Sequence, residues 1–343
     1  MKLGIIGLPG SGKSTIFDAL TRSSAQAGNR SEDRIGTIPV PDDRIDVLSG
    51  LYNPRKTIYA QVEYFLPGIK SGAADKRDQS AWTPVRDADA LIHVVRNFSG
   101  YGLTDPALAE DFLALDQDLI LTDQVSVEKR LERLSLDKKR GRSIHPEEPG
   151  LLEKCLASLE NEQPLRRLPD IAQSPLLRGF AFLSAKPKLV LFNNEDEDDR
   201  LPEIPAVFQQ EETMVIRAKL EQELGQMAPE EAAEFLAEFN VTASAMDRVI
   251  KRSYALQGLV SFFTVGEDEV RAWTIRGGTQ AVDAAEVIHS DIKKGFIRAE
   301  VVAYADLMAA GSHAEARKQG TVRLEGKTYP VQDGDIINFR FNV

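Results

Sequence analysis

The hydrophobic positions change rhythm along the chain. In the N-terminal part they come as short runs, Lys2 to Ile6, Ile58 to Phe65 and Ala90 to Val95, with a further run from Lys188 to Phe192. Apolar runs of this length predict strands covered on both faces, as in the parallel sheet of an α/β domain. Between the last two runs, Leu108, Phe112, Leu115 and Leu119 recur at spacings of four, three and four, and Val127, Leu131 and Leu134 repeat the rhythm. That is one apolar stripe along a helix. A break from Gly141 to Gly150, carrying Pro146 and Pro149, precedes a second helical stretch, Leu151 to Glu160. The pattern predicts a helical hairpin inserted into the α/β domain. A helical zone is expected from Arg217 through Glu238. From Gly258 the period becomes that of strands: Ser261 to Val265, Val270 to Ile275, Gly295 to Val302, Thr321 to Leu324 and Ile336 to Phe341. Turns are expected at Glu325-Gly326-Lys327 and Asp333-Gly334-Asp335, with one helix, Ala281 to Lys293, interrupting the strands.

This divides the chain into an α/β domain of residues 1–104 and 176–257, a helical hairpin of 105–175, and a small mixed-sheet domain of 258–343. A chain of 343 residues has room for a core in each. The net charge of −11 excludes nucleic-acid binding over the whole surface but allows a local basic patch. Lys138, Lys139, Arg140 and Arg142 mark one such place at the hairpin turn, read either as a solvated loop or as a contact to RNA phosphates. Lys293, Lys294 and Arg298 mark another. The single cysteine, Cys155, cannot form an internal disulfide and fits a reducing compartment. Leu151, Leu152, Leu156 and Leu159 around it predict a place in a helix core. With no long apolar span and a strand at the N-terminus, the expectation is a cytoplasmic protein without a membrane partner.

The chemistry concentrates at Gly7-Leu8-Pro9-Gly10-Ser11-Gly12-Lys13-Ser14-Thr15, a complete G-x-x-x-x-G-K-[ST] phosphate loop between a predicted strand and a helix from Thr15 to Thr21. Glycines let successive backbone N–H groups turn toward phosphate oxygens, and the helix offers its positive end to the same anion. Pro9, Gly10, Ser11, Gly12, Lys13, Ser14 and Thr15 are the expected phosphate-binding set. Lys13 would bridge the terminal phosphates, and Ser14 would give its hydroxyl to Mg²⁺ bound with the nucleotide.

The C-terminal part carries Glu269-Val270-Arg271-Ala272-Trp273-Thr274, Ile288-His289-Ser290-Asp291, Gly295-Phe296-Ile297-Arg298-Ala299-Glu300 and Phe339-Arg340-Phe341-Asn342-Val343. Elsewhere stand Pro39-Val40-Pro41-Asp42, His93-Val94-Val95-Arg96 and Lys186-Pro187. Together these stretches resemble the YchF family, also called Obg-like ATPases. The resemblance implies a nucleotide domain, a coiled-coil insert and a C-terminal TGS domain of β-grasp type, with ATP binding and hydrolysis and association with the ribosome. GTPases read guanine with Asn-Lys-x-Asp after a strand of the sheet. The family has Asn-x-x-Glu, which Asn194-Glu195-Asp196-Glu197 resembles, so Asn194 and Glu197 are the implied base-binding residues. Loss of the lysine removes a guanine-specific contact and makes adenine acceptable, so ATP is expected to be tolerated or preferred over GTP. Ala218-Lys219 resembles the second base-contacting loop. Ser184-Ala185-Lys186 looks similar but precedes its strand and is set aside.

One departure matters. A switch NTPase carries an Asp at the end of a neighbouring strand, in Asp-x-x-Gly, to hold Mg²⁺ through water. Aligned on Val62-Glu63-Tyr64-Phe65-Leu66-Pro67-Gly68, that position is Leu66. Glu63, an odd number of residues away, faces the other side of the strand. Loss of such a partner costs about 10- to 100-fold in metal affinity or activity. The leading expectation is a purine-nucleotide-binding regulator, associated with the ribosome or ribosomal RNA, whose hydrolysis is weakened; no catalytic base is assigned. An active ATPase with its acid from Asp75, Asp78 or a partner is the second reading. A small-molecule phosphotransferase is the third. His289 and Asp291, near a helix end, are read as structural.

Overall fold

The computed structural model describes residues 2–22, 31–68, 79–100, 104–172, 174–203, 205–238 and 245–342. Asp75 and Asp78 lie outside them. The chain runs β1 (Lys2–Gly7), α1 (Lys13–Thr21), β2 (Arg34–Pro39), α2 (Asp43–Tyr52), β3 (Lys56–Ile58), β4 (Gln61–Leu66) and β5 (Ala90–Asn97). It continues through α3 (Leu108–Lys139), α4 (Glu148–Glu160), α5 (Pro169–Ala172), β6 (Lys188–Asn194), β7 (Glu212–Ile216), α6 (Ala218–Leu224), α7 (Pro229–Glu238) and α8 (Ala245–Leu256). The C-terminal elements are β8 (Leu259–Val265), β9 (Glu269–Arg276), α9 (Ala281–Ile288), α10 (Ser290–Lys294), β10 (Phe296–Ala303), α11 (Tyr304–Ala310), α12 (His313–Lys318), β11 (Arg323–Glu325) and β12 (Asp335–Phe341).

Two compact units emerge, one of residues 1–37 and 63–249, the other of 38–62 and 250–343. In the first, the sheet order is β2-β4-β1-β5-β6-β7, with β1 parallel to β4 and β5, and β6 parallel to β5 and β7. The strands that follow β1 lie on both sides of it, so its C-terminal end is a topological switch point where such sheets bind ligands. Three of the four apolar runs behave as expected: Leu3, Ile5, Ala90, Leu91, Ile92, Leu189, Val190 and Phe192 are fully buried. The strands at the ends of this sheet, β2 and β7, lack a continuous apolar run and were not legible in the pattern.

The predicted stripe on α3 divides: Phe112, Leu115 and Leu119 pack on the core of the first sheet, while Val127 and Leu134, joined by Ile120, form a seam with Leu152, Cys155 and Leu159 of α4. Arg130 closes the seam by donating to Glu148 at 2.7 and 2.9 Å. Burial pushes the Cys155 thiol up to about 11. Since the thiolate is the nucleophile, Cys155 is expected to resist alkylation at pH 7.5 in the native protein and to react fully in denaturant, read by mass spectrometry.

At the root of α3, Asp116 is the centre of a buried ionic cluster. It accepts from Arg166 at 3.0 and 2.7 Å and from Lys188. Arg166 also donates to Glu211, at 3.1 and 2.7 Å, and Arg167 reaches the same carboxylate at 2.6 Å. Burial alone would raise the Asp116 carboxyl, but Lys188 and Arg166 override it and hold the group well below the usual carboxylate range. His93 on β5 stacks on Phe112 at 5.2 Å. Burial, reinforced by Lys188, keeps its imidazole neutral, with its pKa far below the ordinary value.

The second unit is a sheet in the order β11-β10-β12-β8-β9-β3. Ala281, Ala284 and Ala285 of α9 pack on Phe262, Ile275, Val301, Ile337 and Phe339 from its strands. The structure departs from the sequence pattern in four places here. The run Ile58 to Phe65 is two strands, and β3 pairs with β9 through Lys56↔Glu269, Thr57↔Val270 and Ile58↔Arg271. Residues 38–62, expected with the nucleotide domain, accordingly group with the C-terminal unit; Arg44 ties them in, donating to Asp333 at 2.7 Å and lying over the Phe263 ring at 5.2 Å. The predicted helix 281–293 is broken at His289, whose extended backbone lets its ring accept the Asp291 N–H at 3.2 Å as the cap of α10. Two further helices, α11 and α12, fill the stretch between β10 and β11, which the period of the strands did not reveal.

Candidate nucleotide-binding site

The phosphate loop leaves the C-terminal end of β1 and enters α1. Gly10 (φ 81°) and Gly12 (φ 96°) hold the left-handed backbone that an L side chain resists. Gly12 has a second constraint: a Cβ there would lie 2.2 Å from Asn193 Nδ2. Pro9 and Gly10 form the exposed tip, while Ser11 is buried with its Oγ unpartnered. The Lys13 ammonium donates to the carbonyls of Gly7 and Leu8, both at 2.8 Å. It is thereby folded back over the loop, and burial lowers it to about 8. Ser14 is exposed in the first turn of α1, which carries no acidic side chain, and Thr15 lines the adjoining cleft.

The Lys13 shift has a direct consequence. A bound polyphosphate favours the ammonium, so binding at pH 8 should draw a proton onto Lys13, and affinity for ATP should fall as the pH rises above about 8. Calorimetry of ATP binding in two buffers of different ionisation enthalpy measures that uptake directly; equal heats in both would refute it.

A cleft of about 670 Å³ opens beside the loop. Its lining joins Gly12 and Thr15 to Phe98 and Ser99 after β5, to residues 193–197 at the end of β6, and to Ala218, Lys219 and Gln222 at the start of α6. The phosphate loop and the expected base loops therefore share one cavity. The residue that wires them together is Asn193, which the sequence reading did not select. Its Nδ2 donates to Ser11 O at 3.0 Å, and its Oδ1 accepts from Ala218 N–H at 3.1 Å.

Asn194 does reach the lining, but its hydrogen bonds shape the loop. It accepts from Asn97 at 2.9 Å and donates to the carbonyls of Asp198 and Arg200 at 3.1 and 2.9 Å. Glu197 is exposed on the rim. Three residues after Asn193 comes Asp196, half-buried, accepting from Leu220 N–H at 3.2 Å and facing Lys219 Nζ at 3.6 Å. Asn193-Asn194-Glu195-Asp196-Glu197 thus contains two overlapping Asn-x-x-acid frames. Adjacent strand residues face opposite ways, and the two asparagines differ accordingly: Asn193 bonds the phosphate loop and Ala218, and Asn194 bonds Asn97 and the 198–200 loop.

The far wall is clamped. Arg96 donates to the carbonyls of Phe98, Thr104 and Asp105 at 3.0, 2.8 and 3.3 Å, and Ser99 N–H donates to Glu195 at 2.9 Å. This sets the Phe98 ring beside the cleft, a suitable platform for a flat base.

For Mg²⁺, the donor set is partial. Ser14 stands where a P-loop hydroxyl meets the metal, with the nucleotide's phosphates supplying further oxygens. At the end of β4, Leu66 is buried and apolar. Among the described residues no three His, Cys, Asp or Glu side chains cluster to hold a metal by themselves, and no helix is long and apolar enough to cross a membrane.

Known proteins resemble this chain along its whole length. Residues 259–342 match a family model called YchF-GTPase_C, described as a protein of unknown function. Over 363 aligned positions, the chain is 40% identical to the ribosome-binding ATPase YchF of Bacillus subtilis, covering 99% of each sequence. With the ribosome-binding ATPase YchF of Escherichia coli O157:H7 it shares 35% identity over 100% of this chain and 99% of the other. Among solved structures, the YchF GTPase of Schizosaccharomyces pombe superposes with a TM-score of 0.83 at 29% identity, covering 99% and 97%. A GTP-binding protein from Pyrococcus horikoshii shares the fold, with a TM-score of 0.60 at 20% identity and full coverage of both chains.

Proposed function

The chain belongs to the YchF family of P-loop nucleotide-binding proteins, and from that premise we propose that it binds a purine nucleotide, accepts ATP, hydrolyses it weakly, and acts as a ribosome-associated regulator in the cytoplasm. The observation that carries the reading is the Asn193 bridge, which joins the phosphate loop to the base wall inside one cavity.

Base preference follows from what the wall contains. In the Asn193 frame, the position that a guanine-reading lysine would take is Asn194, buried and engaged with the 198–200 loop. No long cation lies over the ring from there, and the acid at Asp196 is already shared with Leu220 N–H and Lys219. A site that does not demand guanine's donors leaves no polar group stranded when adenine enters. Phe98 would stack on the base, while Asn193 and Asp196, with Glu197 on the rim, would meet its edge.

Weak turnover follows from Leu66. Phosphoryl transfer depends on positioned metal and charge rather than on covalent chemistry by the protein, and a buried leucine supplies neither. Binding through the loop survives that loss. The Bacillus subtilis and Escherichia coli relatives are named as ribosome-binding ATPases, and the proposal carries that property to this chain. In this chain the exposed hairpin turn with Lys138, Lys139 and Arg140 is the basic surface that suits RNA phosphates. Arg142 is paired with Asp137 at 3.0 Å, and Lys293 and Lys294 are engaged by Asp283, Glu286 and Asp291, which weakens the second patch. The C-terminal unit, in this reading, is a TGS domain, and the α3–α4 pair is the coiled-coil insert.

Calorimetric titration of ATP, GTP and ADP, with and without Mg²⁺, followed by a turnover assay on the same sample, tests the proposal. Binding of ATP with little turnover is expected. Strict selection of GTP, or turnover as fast as that of the family's ordinary ATPases, would overturn the corresponding part.

A further inference from the structure

The buried Leu66 removes the strand-end acid, yet another carboxylate stands at that edge of the sheet. We infer that Asp33, on the segment entering β2, is the residue that faces the nucleotide-bound Mg²⁺ in place of the missing Asp-x-x-Gly acid. The inference rests on the nucleotide-binding reading above and concerns only the metal end of that site.

One contact of its own and those of Arg34 and Gly36 locate Asp33. Its Oδ1 accepts the Gly68 N–H at 2.9 Å, just beyond the end of β4. The parallel pairing Lys2↔Glu63, Leu3↔Tyr64 and Gly4↔Phe65 sets β4 beside β1, so Gly68, just past β4, and the phosphate loop, just past β1, leave the same end of the sheet from neighbouring strands. The next residue, Arg34, pairs with Asp18 of α1 and lies over the Phe17 ring at 4.4 Å. Two residues further, Gly36 is pressed on the same helix, where a Cβ would come 2.1 Å from Thr21 Cγ2.

The segment therefore runs backward along α1. Gly36 lies at Thr21, Arg34 at Asp18, and the step to Asp33 continues toward the helix start, where Ser14 is one turn before Asp18. An extended residue advances about 3.3 Å against 1.5 Å for a helical one, so a single step from Arg34 covers about two helix positions. Both lines, the strand register and the run along α1, converge on the end of the site that carries Ser14.

The contact with Gly68 is built into the backbone. A Cβ on Gly68 would lie 2.3 Å from Ser31 O and 2.7 Å from Glu32 C, so only glycine allows the two segments this close. One Asp33 oxygen takes the amide; a carboxylate has a second oxygen and further lone pairs for a metal-bound water. The carboxylate then meets the metal from the segment beside the strand end, while the strand end itself, Leu66, still supplies no charge for turnover.

Mn²⁺, followed by electron paramagnetic resonance in the protein–ATP complex, reports the metal without turnover. Asp33→Asn keeps an acceptor for Gly68 N–H and removes the charge. Its expected effect is at least a tenfold loss of Mn²⁺ affinity in the ternary complex, with ATP affinity in excess chelator unchanged and the thermal midpoint preserved. Gly68→Ala, which must displace residues 31–33 without altering the carboxylate, is expected to lose Mn²⁺ affinity in the same way. Wild-type Mn²⁺ affinity in Asp33→Asn overturns the inference, as does a wild-type protein whose ATP complex gains nothing from the metal. If ATP fails to bind in chelator and with metal alike, the nucleotide-binding reading itself falls.

Discussion

Asp116→Ala is expected to cost about 3–5 kcal/mol of folding stability, the penalty for leaving buried opposite charges without their partner. Lys188, 1% exposed at its side chain, and Arg166, 8% exposed, would lose the carboxylate that neutralises them. Glu211 alone would then face Arg166, Arg167 and Lys188. Urea denaturation followed by circular dichroism measures the loss as a fall in midpoint at unchanged slope. A loss below about 1 kcal/mol, the range of an exposed pair, would refute the assignment. The double variant Asp116→Ala with Lys188→Met removes an opposite charge as well and should recover part of the loss. The pH dependence has a definite sign. Because the folded carboxyl is held well below its unfolded value, its contribution is fully present at neutral pH. It is lost only as the pH falls through the acid range toward the folded pKa.

Lys13→Ala should reduce ATP affinity by about 30-fold or more, corresponding to the roughly 2–5 kcal/mol lost when one member of a buried, hydrogen-bonded charge pair is truncated. In the structure its ammonium rests on the Gly7 and Leu8 carbonyls at 2.8 Å, so the variant removes a group that spans the loop. Fold stability should change little, since burial already disfavours the charged lysine there. Fluorescence titration with a labelled ATP analogue, beside a thermal melt, separates the two effects. Unchanged affinity would show that the cleft holds its ligand without the phosphate loop. A collapsed melt would mean that Lys13 serves the loop's own structure.

The phosphate loop and the Asp116 cluster differ in how far the sequence reveals them. The phosphate loop is local: strand, glycines, lysine and helix follow one another, and the structure places each as the pattern implies. The Asp116 cluster joins α3, the segment after α4, β6 and the approach to β7. No spacing rule connects Asp116, Arg166, Lys188 and Glu211, because each is an ordinary charged residue until the fold removes water from around it. The base wall lies between these extremes. Asn-x-x-acid was readable, but in two frames, and the choice between Asn193 and Asn194 depends on which face of β6 each side chain takes. Short edge strands escaped for a related reason: β2, β3 and β7 lack long apolar runs, and pairing with a neighbour defines them.

What the sequence determined by itself is the set of elements whose cause is local or periodic. These are the phosphate loop and its helix, the apolar strands at the centre of the first sheet, the apolar stripe of α3 and the β-rich C-terminal part; the resemblance adds the expectation of an acid where Leu66 stands. Only the tertiary structure decided which asparagine bridges the phosphate loop to Ala218, which unit residues 38–62 join, that Asp116 is buried among cations, and that Asp33 stands beside Gly68. Local propensity and periodicity act over a few residues and survive in the chain as pattern. Register, burial and close backbone approach arise between residues 25 to 182 positions apart, as in the bonds from Asn193 to Ser11 and Ala218 and from Asp33 to Gly68, and they exist only once the chain has closed on itself.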